Sequence, residues 1–205
     1  TAYNGKKREL WSLNKNNKKG EKVTQSGGDP RHLAEIDGAL YYSASSRKGR
    51  EPWTIKNNDS PQQLQDINPG INSSNPKDFQ LILESTKNAG IKKTLYFTAN
   101  GGRSGIELWS QDISSDNSRA ELYADIYTGA PSSDPRNLIS VNNDLFFTAN
   151  DGKSGRELWT IDEQLSTEPC DPNSQDNCDG SQPGTADTEL AKHLRKDVQR
   201  SDPTE

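Results

Sequence analysis

One stretch of the sequence recurs four times, each time with a tryptophan near its end, and this recurrence limits the folds open to the chain. The clearest copies are LFFTANDGKSGRELWTID at 145–162 and LYFTANGGRSGIELWSQD at 95–112. A looser copy, LYYSASSRKGREPWTIK, covers 40–56, and the chain opens inside a fourth, TAYNGKKRELWSLNK. Each tryptophan of the chain belongs to one copy: Trp11, Trp53, Trp109 and Trp159. Repetition at this spacing predicts an array of equivalent units.

Each copy predicts a β-hairpin. The runs ALYYSA, TLYFTA and DLFFTA have the β-branched and aromatic composition of strands. They are followed by SRKG, NGGRSG and NDGKSG, whose Gly and Asn residues accept the positive φ angles of tight turns. In the return strand RELW, alternation places Glu157 and Trp159 on one face and Leu158 on the other.

Two further strands complete each unit. KVTQ, QLQDI and ELYADI (22–25, 63–67 and 121–126) lead into the turn-rich segments SGGDP, NPGINSSNP and TGAPSSDP. HLAEI, DFQLIL and NLISV follow, with Leu33, Phe79 and Leu138 each three residues after a proline. Four strands per unit, at tryptophan spacings of 42, 56 and 50 residues, predict β-propeller-like blades. The longest interval contains ESTKNAGIKK (84–93), which we expect to lie in a hairpin loop.

The predicted fold class is therefore all-β, a propeller-like array of about three to four four-stranded blades over residues 1–162, with copies ending near 15, 56, 112 and 162. An acidic, cysteine-containing linker (163–184) and a tail (185–205) follow. In the tail, Leu190, Leu194 and Val198 share the helical spacing that predicts a short helix from about Asp187 to Arg200. Closed propellers have about four to eight blades, so we expect further blades or another chain to complete the ring.

The last two copies also carry a family resemblance. ELWSQD and ELWTID, preceded by LYFTANGGRSG and LFFTANDGKSG, resemble the ELWxxDGT repeats, also described among hyalin-like repeats. The resemblance covers about residues 1–162; Pro52 replaces the motif leucine in one copy, and every copy lacks the trailing Asp-Gly-Thr. It implies propeller-type blades in large secreted or surface-associated proteins. It implies no catalytic residues.

Composition and charge support a folded array followed by an acidic tail. Only 28% of the 205 residues are hydrophobic, but their regular placement still allows a core. Residues 163–205 hold ten acids and four Lys or Arg, so their net charge is −6. Since the whole chain carries −5, residues 1–162 carry a net charge of +1. The basic beginning, with Lys15, Lys18 and Lys19, is typical of a solvated surface, and no nucleic-acid partner is predicted. No apolar run reaches the ~18 residues of a membrane span.

The search for chemistry favours structural roles. HExxH, GxSxG, GxGxxG and Walker motifs are all absent from the sequence, and no catalytic residue is predicted. The repeated Glu9, Glu51, Glu107 and Glu157 suggest a metal-binding ring. Their mutual equivalence instead favours a strand-to-strand hydrogen bond or a pair with an arginine of a neighbouring blade. The tryptophans are predicted to wedge between blades, with sugar stacking as the alternative.

The tail carries a separate motif, PCDPNSQDNCDG. Its only two cysteines, Cys170 and Cys178, would close a small disulfide loop in an oxidising compartment. Calcium is the one candidate cofactor, because the motif also supplies hard oxygen ligands from Asp171, Asn173, Asp176 and Asp179. A plain linker is the remaining alternative.

These features predict a non-catalytic structural or protein-interaction module. Its partners would be other chains of a larger assembly or further blades of the same parent protein. Its place would be extracellular, at the cell surface, or in a lumenal or periplasmic compartment. The alternative is part of a glycan-binding or glycan-processing propeller enzyme whose remaining blades lie outside this chain.

Overall fold

The computed structural model describes residues 2–3, 8–23, 25, 27–57, 59–86, 90–161 and 194–196, and every regular element among them is a β-strand. The amino-terminal segment contains β1 (Ala2–Tyr3), β2 (Arg8–Glu9), β3 (Trp11–Leu13) and β4 (Gly20–Lys22). Sheet 1 contains β5 (Gly28–Ile36), β6 (Ala39–Ser46), β7 (Gly49–Ile55) and β8 (Gln62–Gln63). Sheet 2 contains β9 (Lys77–Thr86), β10 (Gly90–Asn100), β11 (Ile106–Asp112) and β12 (Glu121–Ala124). Sheet 3 contains β13 (Arg136–Val141), β14 (Asp144–Asn150), β15 (Arg156–Ile161) and β16 (Leu194–Lys196).

The three four-stranded sheets share one topology and one register. In each, strands that follow one another in sequence pair antiparallel, so the order in space equals the order in the chain. The predicted hairpins form their second and third strands. Each tryptophan pairs with the same aromatic position of the preceding strand: Tyr42 with Trp53, Phe97 with Trp109, and Phe147 with Trp159. The all-β prediction is confirmed, and no closed sheet is found in the described ranges.

The core lies between sheets that pack face to face. Sheets 1 and 2 enclose Tyr41, Phe79, Phe97 and Trp109, and the rings of Phe79 and Phe97 are 5.5 Å apart. Sheets 2 and 3 enclose a second cluster that includes Tyr96, Leu108, Leu145, Phe147 and Ile161. A smaller cluster, with Leu10, Tyr42 and Ala44, joins the amino-terminal segment to sheet 1.

Alternation along the middle strands explains this stacking. In β10, Phe97 faces sheet 1 while its neighbour Tyr96 faces sheet 3, so consecutive residues are buried on opposite faces. In β6, Tyr42 and Tyr41 are buried in the same alternating way. Sheets 1 and 2 are therefore each covered on two faces. The shared alternation lets a chain that is poor in apolar residues form a continuous core.

The three sheets also begin with the same unusual backbone. Asp29, Asn75 and Asp134, each directly before a proline, have φ of 47°, 49° and 46°. His32, Asp78 and Asn137, two residues after those prolines, have φ of 53°, 57° and 57°. Asp, Asn and His are the non-glycine residues that most readily adopt this left-handed region. The first strands are irregularly paired here, which identifies a repeated bulge.

Three sequence predictions need correction. The segment 84–93 was expected in a hairpin loop, but its ends lengthen β9 and β10, with Glu84 paired to Lys92 and Thr86 to Gly90. The predicted strand 63–67 is reduced to β8. The predicted helix 187–200 is contradicted at Leu194–Lys196, which form a strand paired with β15; its other residues lie outside the described residues. An open sheet edge offers unpaired backbone groups, which explains why these residues pair as a strand.

Candidate functional site

Glu107 of β11 fixes the loop that leads from sheet 2 to sheet 3. Its Oε1 accepts a hydrogen bond from the backbone N–H of Ser133 at 2.6 Å. Its Oε2 accepts one from the Ser133 hydroxyl at 2.5 Å and one from the backbone N–H of Ile126 at 3.0 Å. The Glu107 side chain is fully buried. We call this arrangement the glutamate clasp of sheet 2.

Glu51 of β7 forms the same clasp for the loop between sheets 1 and 2. Its Oε1 accepts from the backbone N–H of Ser74 at 2.9 Å. Its Oε2 accepts from the Ser74 hydroxyl at 2.7 Å and from the backbone N–H of Ile67 at 2.9 Å. Glu51 is also fully buried. Glu51 and Glu107 thus make three matching bonds each, so the clasp occurs in the same form in sheets 1 and 2.

Each clasped loop continues to the next sheet. The Ser74 carbonyl accepts from the Asn100 backbone N–H of β10 at 2.7 Å, and the Ser133 carbonyl accepts from that of Asn150 in β14 at 3.0 Å. Ser74 therefore links Glu51 of sheet 1 to sheet 2, and Ser133 links Glu107 of sheet 2 to sheet 3. The clasps hold neighbouring sheets in a fixed relation.

The clasp carboxylates have perturbed acidity. Burial raises the pKa of Glu107 to about 7, while the bonds from Ser133 and Ile126 act in the opposite direction. Burial also raises the pKa of Glu51, against the bonds from Ser74 and Ile67. A raised carboxyl pKa is common in catalytic sites. Here, however, both oxygens of each carboxyl group are occupied by the protein's own donors.

The other two repeat glutamates have different surroundings. Glu9 is buried and receives an ion pair from Lys22 Nζ at 2.7 Å. Glu157 is partly buried on β15. The sequence predicted strand-to-strand bonds or arginine pairs for all four. For Glu51 and Glu107 that prediction was wrong in its partners, because both bind the following loop. The signal in the sequence was the recurring isoleucine and Ser-Ser-Asn/Asp-Pro segment after each of these glutamates.

Two glycines allow the clasped loops to approach. A Cβ added at Gly49 would lie 1.8 Å from the Asn72 carbonyl oxygen, and one at Gly105 would lie 2.5 Å from that of Pro131. At the equivalent Gly155, no described atom would lie within 4 Å of such a Cβ. The glycine of the hairpin loop is thus required for loop contact in sheets 1 and 2.

The tryptophans occupy graded environments. Trp109 is buried between sheets 1 and 2 and donates from Nε1 to the Ala99 carbonyl at 3.1 Å. Trp159 donates in the same way to Ala149 at 3.2 Å. Trp53 stacks on Tyr42 with ring centroids 6.5 Å apart. Trp11, in the amino-terminal segment, is 42% exposed. Equivalent sequence positions therefore receive different amounts of cover.

An arginine and aspartate pair was missed in the sequence. Arg50 donates to the Asp29 carboxylate at 2.7 Å and to the Asp29 backbone carbonyl at 2.8 Å. Arg156 donates in the same way to the carboxylate of Asp134 at 3.2 Å and to its backbone carbonyl at 2.9 Å. In sheet 2 both partners are replaced together, by Ile106 and Asn75. The sequence contains a signal for this pair, because in the aligned copies the arginine and the aspartate are both present or both replaced.

A polar cleft of about 320 Å³ lies between the outer strands of sheets 1 and 2. Thr54 and Gln62 line one wall, and Gln111 and Asp116 line the other. An ion pair of 3.0 Å between Lys56 and Asp116 joins the walls. This cleft offers amide, hydroxyl and charged groups to a polar ligand.

The next observations concern metal binding and membrane spans. The described residues contain no group of three or more His, Cys, Asp or Glu that would hold a metal ion. The predicted calcium ligands Asp171, Asn173, Asp176 and Asp179 and the predicted disulfide of Cys170 and Cys178 lie outside the described residues. Among the described residues there is no helix that could span a membrane.

Comparisons with known proteins do not assign a family. No family model matches the chain, and neither the curated proteins nor the solved structures give a match.

Proposed function

We propose that this chain is a non-catalytic structural or protein-interaction module of a secreted, surface or lumenal assembly. One observation carries the proposal: both oxygens of the buried Glu51 and Glu107 carboxyl groups accept hydrogen bonds from the loops that join the sheets. These two recurring acids thus bind the protein's own loops and stabilise the scaffold. A scaffold with fixed loops presents a surface at little entropic cost on binding.

We further propose that sheets 1, 2 and 3 are blades of a β-propeller. Four-stranded sheets with sequential strand order, packed face to face through aromatic residues, support this interpretation. The remaining blades would come from another chain or from further parts of the parent protein. The repeated bulge near the start of each first strand supports their equivalence.

The partner surface would be formed by loops and strand extensions that differ between blades. The lengthened β9–β10 hairpin is the main such feature, and Ile91 within it is 61% exposed. Variable elements on a rigid scaffold commonly carry recognition. Calcium binding and a Cys170–Cys178 disulfide in the tail remain proposals that thiol alkylation and chelation can examine.

Affinity capture tests the interaction proposal. The folded chain and the same chain after heat denaturation and thiol blocking are immobilised and exposed to an extract of the native source. We expect proteins that bind only the folded chain and that cross-link to Lys92 or Lys93 beside Ile91. The Ile91→Glu variant should retain fewer of them. If no protein distinguishes folded from denatured chain, the interaction proposal fails.

The glycan alternative is favoured by the polar cleft between sheets 1 and 2. Amide groups such as those of Gln62 and Gln111 suit the hydroxyl groups of a sugar. Titration calorimetry with a panel of oligosaccharides tests it, with Gln111→Ala as the cleft variant. Binding that this variant abolishes would support a glycan role. Heat absent for every oligosaccharide would eliminate it.

A further inference from the structure

The last sheet of the stack presents an apolar face to solvent. Ile139, Val141 and Leu158 are 55%, 46% and 43% exposed. Ile139 pairs with Phe146 and Leu158 pairs with Thr148, and these two partners are two residues apart in β14. Ile139 and Leu158 therefore lie on one face of the sheet. Val141 lies on the same face because it is two residues after Ile139. The other face of the same strands holds Leu145 and Phe147 against sheet 2. We call the four residues Ile139, Val141, Phe146 and Leu158 the sheet-3 end face.

The same positions in the preceding sheets are buried against the next sheet. Val141 corresponds to Ile82 of sheet 2, which is 1% exposed, and to Ile36 of sheet 1, which is 8% exposed. Leu158 corresponds to Leu108, which is 0% exposed. In sheet 2 these side chains contact sheet 3. The sheet-3 end face therefore has the chemistry of an inter-sheet surface.

The opposite end of the stack exposes the matching surface. Trp11 and Leu13 of β3 are 42% and 67% exposed. Their counterparts Trp159 and Ile161 pack against sheet 2, and Ile161 is 1% exposed. We call Trp11 and Leu13 the amino-terminal end face. In the interior of the stack, a face of this type always packs on a face of the sheet-3 type.

We propose that the amino-terminal end face of one copy of this chain docks on the sheet-3 end face of a second copy. The contact is head-to-tail and reproduces between chains the packing seen between sheets 1 and 2. Two copies supply six four-stranded sheets and two amino-terminal segments, which falls within the range of closed propellers of about four to eight blades. The inference rests on the proposed interaction function and names its partner.

Complementary variants test the proposal. Sedimentation velocity over a concentration series should show wild-type chain converting to a species of about twice its mass or more. Trp11→Glu and Leu158→Glu should each remain monomeric, because each has one charged end face. An equimolar mixture should regain an associated species, since the Leu158→Glu copy keeps its amino-terminal face and the Trp11→Glu copy keeps its sheet-3 face. Ile71→Glu, at an 86% exposed loop position, is the matched control and should associate like wild type.

Circular dichroism melts confirm that each variant is folded, which is expected because both altered side chains are exposed. The proposal is overturned if wild-type chain stays monomeric throughout, or if both variants associate like wild type. It is also overturned if the mixture fails to associate although each variant is folded. If the chain stays monomeric but still captures other proteins from the native extract, self-association is refuted and the proposed interaction function is retained.

Discussion

Glu107 and Ser133, separated by 26 positions in the sequence, meet through two hydrogen bonds from one residue: the Ser133 backbone N–H and hydroxyl donate to different oxygens of the same buried carboxyl group. Glu51 and Ser74 repeat this relation one sheet earlier. The pair converts a loop into part of the scaffold. The stability of the array should depend on it.

Replacing the carboxyl group of a clasp by an amide tests that dependence. In Glu107→Gln, the Oε2 position that receives the Ile126 N–H can be occupied by an amide nitrogen, which leaves a buried donor without an acceptor. We expect a loss of about 1–3 kcal/mol in the free energy of unfolding, measured by urea denaturation. Glu121→Gln, at an exposed position of β12, is the control and should change it by less than about 0.5 kcal/mol. A Glu107→Gln loss no larger than the control's would contradict the clasp.

The same residue predicts a pH dependence. Because burial raises the pKa of Glu107 from 4.5 to about 7, the folded state binds more protons than the unfolded state between these values. The contribution is therefore most favourable below the unfolded pKa and declines as pH rises to about 7. We expect the wild-type melting temperature to fall between pH 5 and pH 8 by more than that of Glu107→Gln. Parallel pH profiles for the two proteins would refute the assignment.

Alanine at the hairpin glycines gives a comparison internal to the repeats. Gly49, Gly105 and Gly155 all have positive φ, at 80°, 68° and 86°, so each alanine carries a similar conformational cost of about 1–2 kcal/mol. At Gly49 and Gly105 the new Cβ would also collide with a loop carbonyl. Thermal melts should therefore rank Gly155→Ala as the mildest of the three. Equal losses at all three positions would show that loop contact does not matter.

The arginine and aspartate positions predict a coupled effect. Arg50 is largely buried, so Arg50→Ile leaves Asp29 without its closest cation, and Asp29→Asn removes the charge that Arg50 needs. Sheet 2 carries Ile106 and Asn75 at these positions. We expect the double variant to lose less stability than the sum of the singles, with a coupling of about 0.5–3 kcal/mol in a denaturation cycle. Strict additivity would mean that the paired replacement in sheet 2 has another cause.

The sequence predicted the parts of the fold that depend on local pattern. The hairpins ending on Trp109 and Trp159 follow from strand alternation and glycine turns, and the first strands follow from their offset after proline. The lengthened β9–β10 hairpin and the strand at Leu194–Lys196 were mistaken because their pairing depends on an available partner strand. The spacing of residues within a segment does not show whether a partner strand lies beside it.

The candidate site was only partly predictable. A structural role for Glu51 and Glu107 followed from their repetition, but their partners lie 16 to 26 positions away, beyond a connecting segment whose length differs between the two copies. The solvent exposure of Trp11 and Leu158 could not be predicted from the sequence either, because residues at the equivalent positions of another copy are buried. Side chains with the same local sequence pattern are buried to different extents, because the extent depends on which sheets lie next to them in the stack.

Amide hydrogen exchange measured by NMR tests whether the glutamate clasps hold their loops, because the backbone amides of Ile67, Ser74, Ile126 and Ser133 are the donors in the clasps. We expect these amides to exchange as slowly as the strand amides of β10. In Glu107→Gln, the exchange of the Ile126 and Ser133 amides should become faster, while the Ile67 and Ser74 amides stay protected. Exchange of all four amides at the rate of exposed loop amides in the wild-type chain would contradict this expectation.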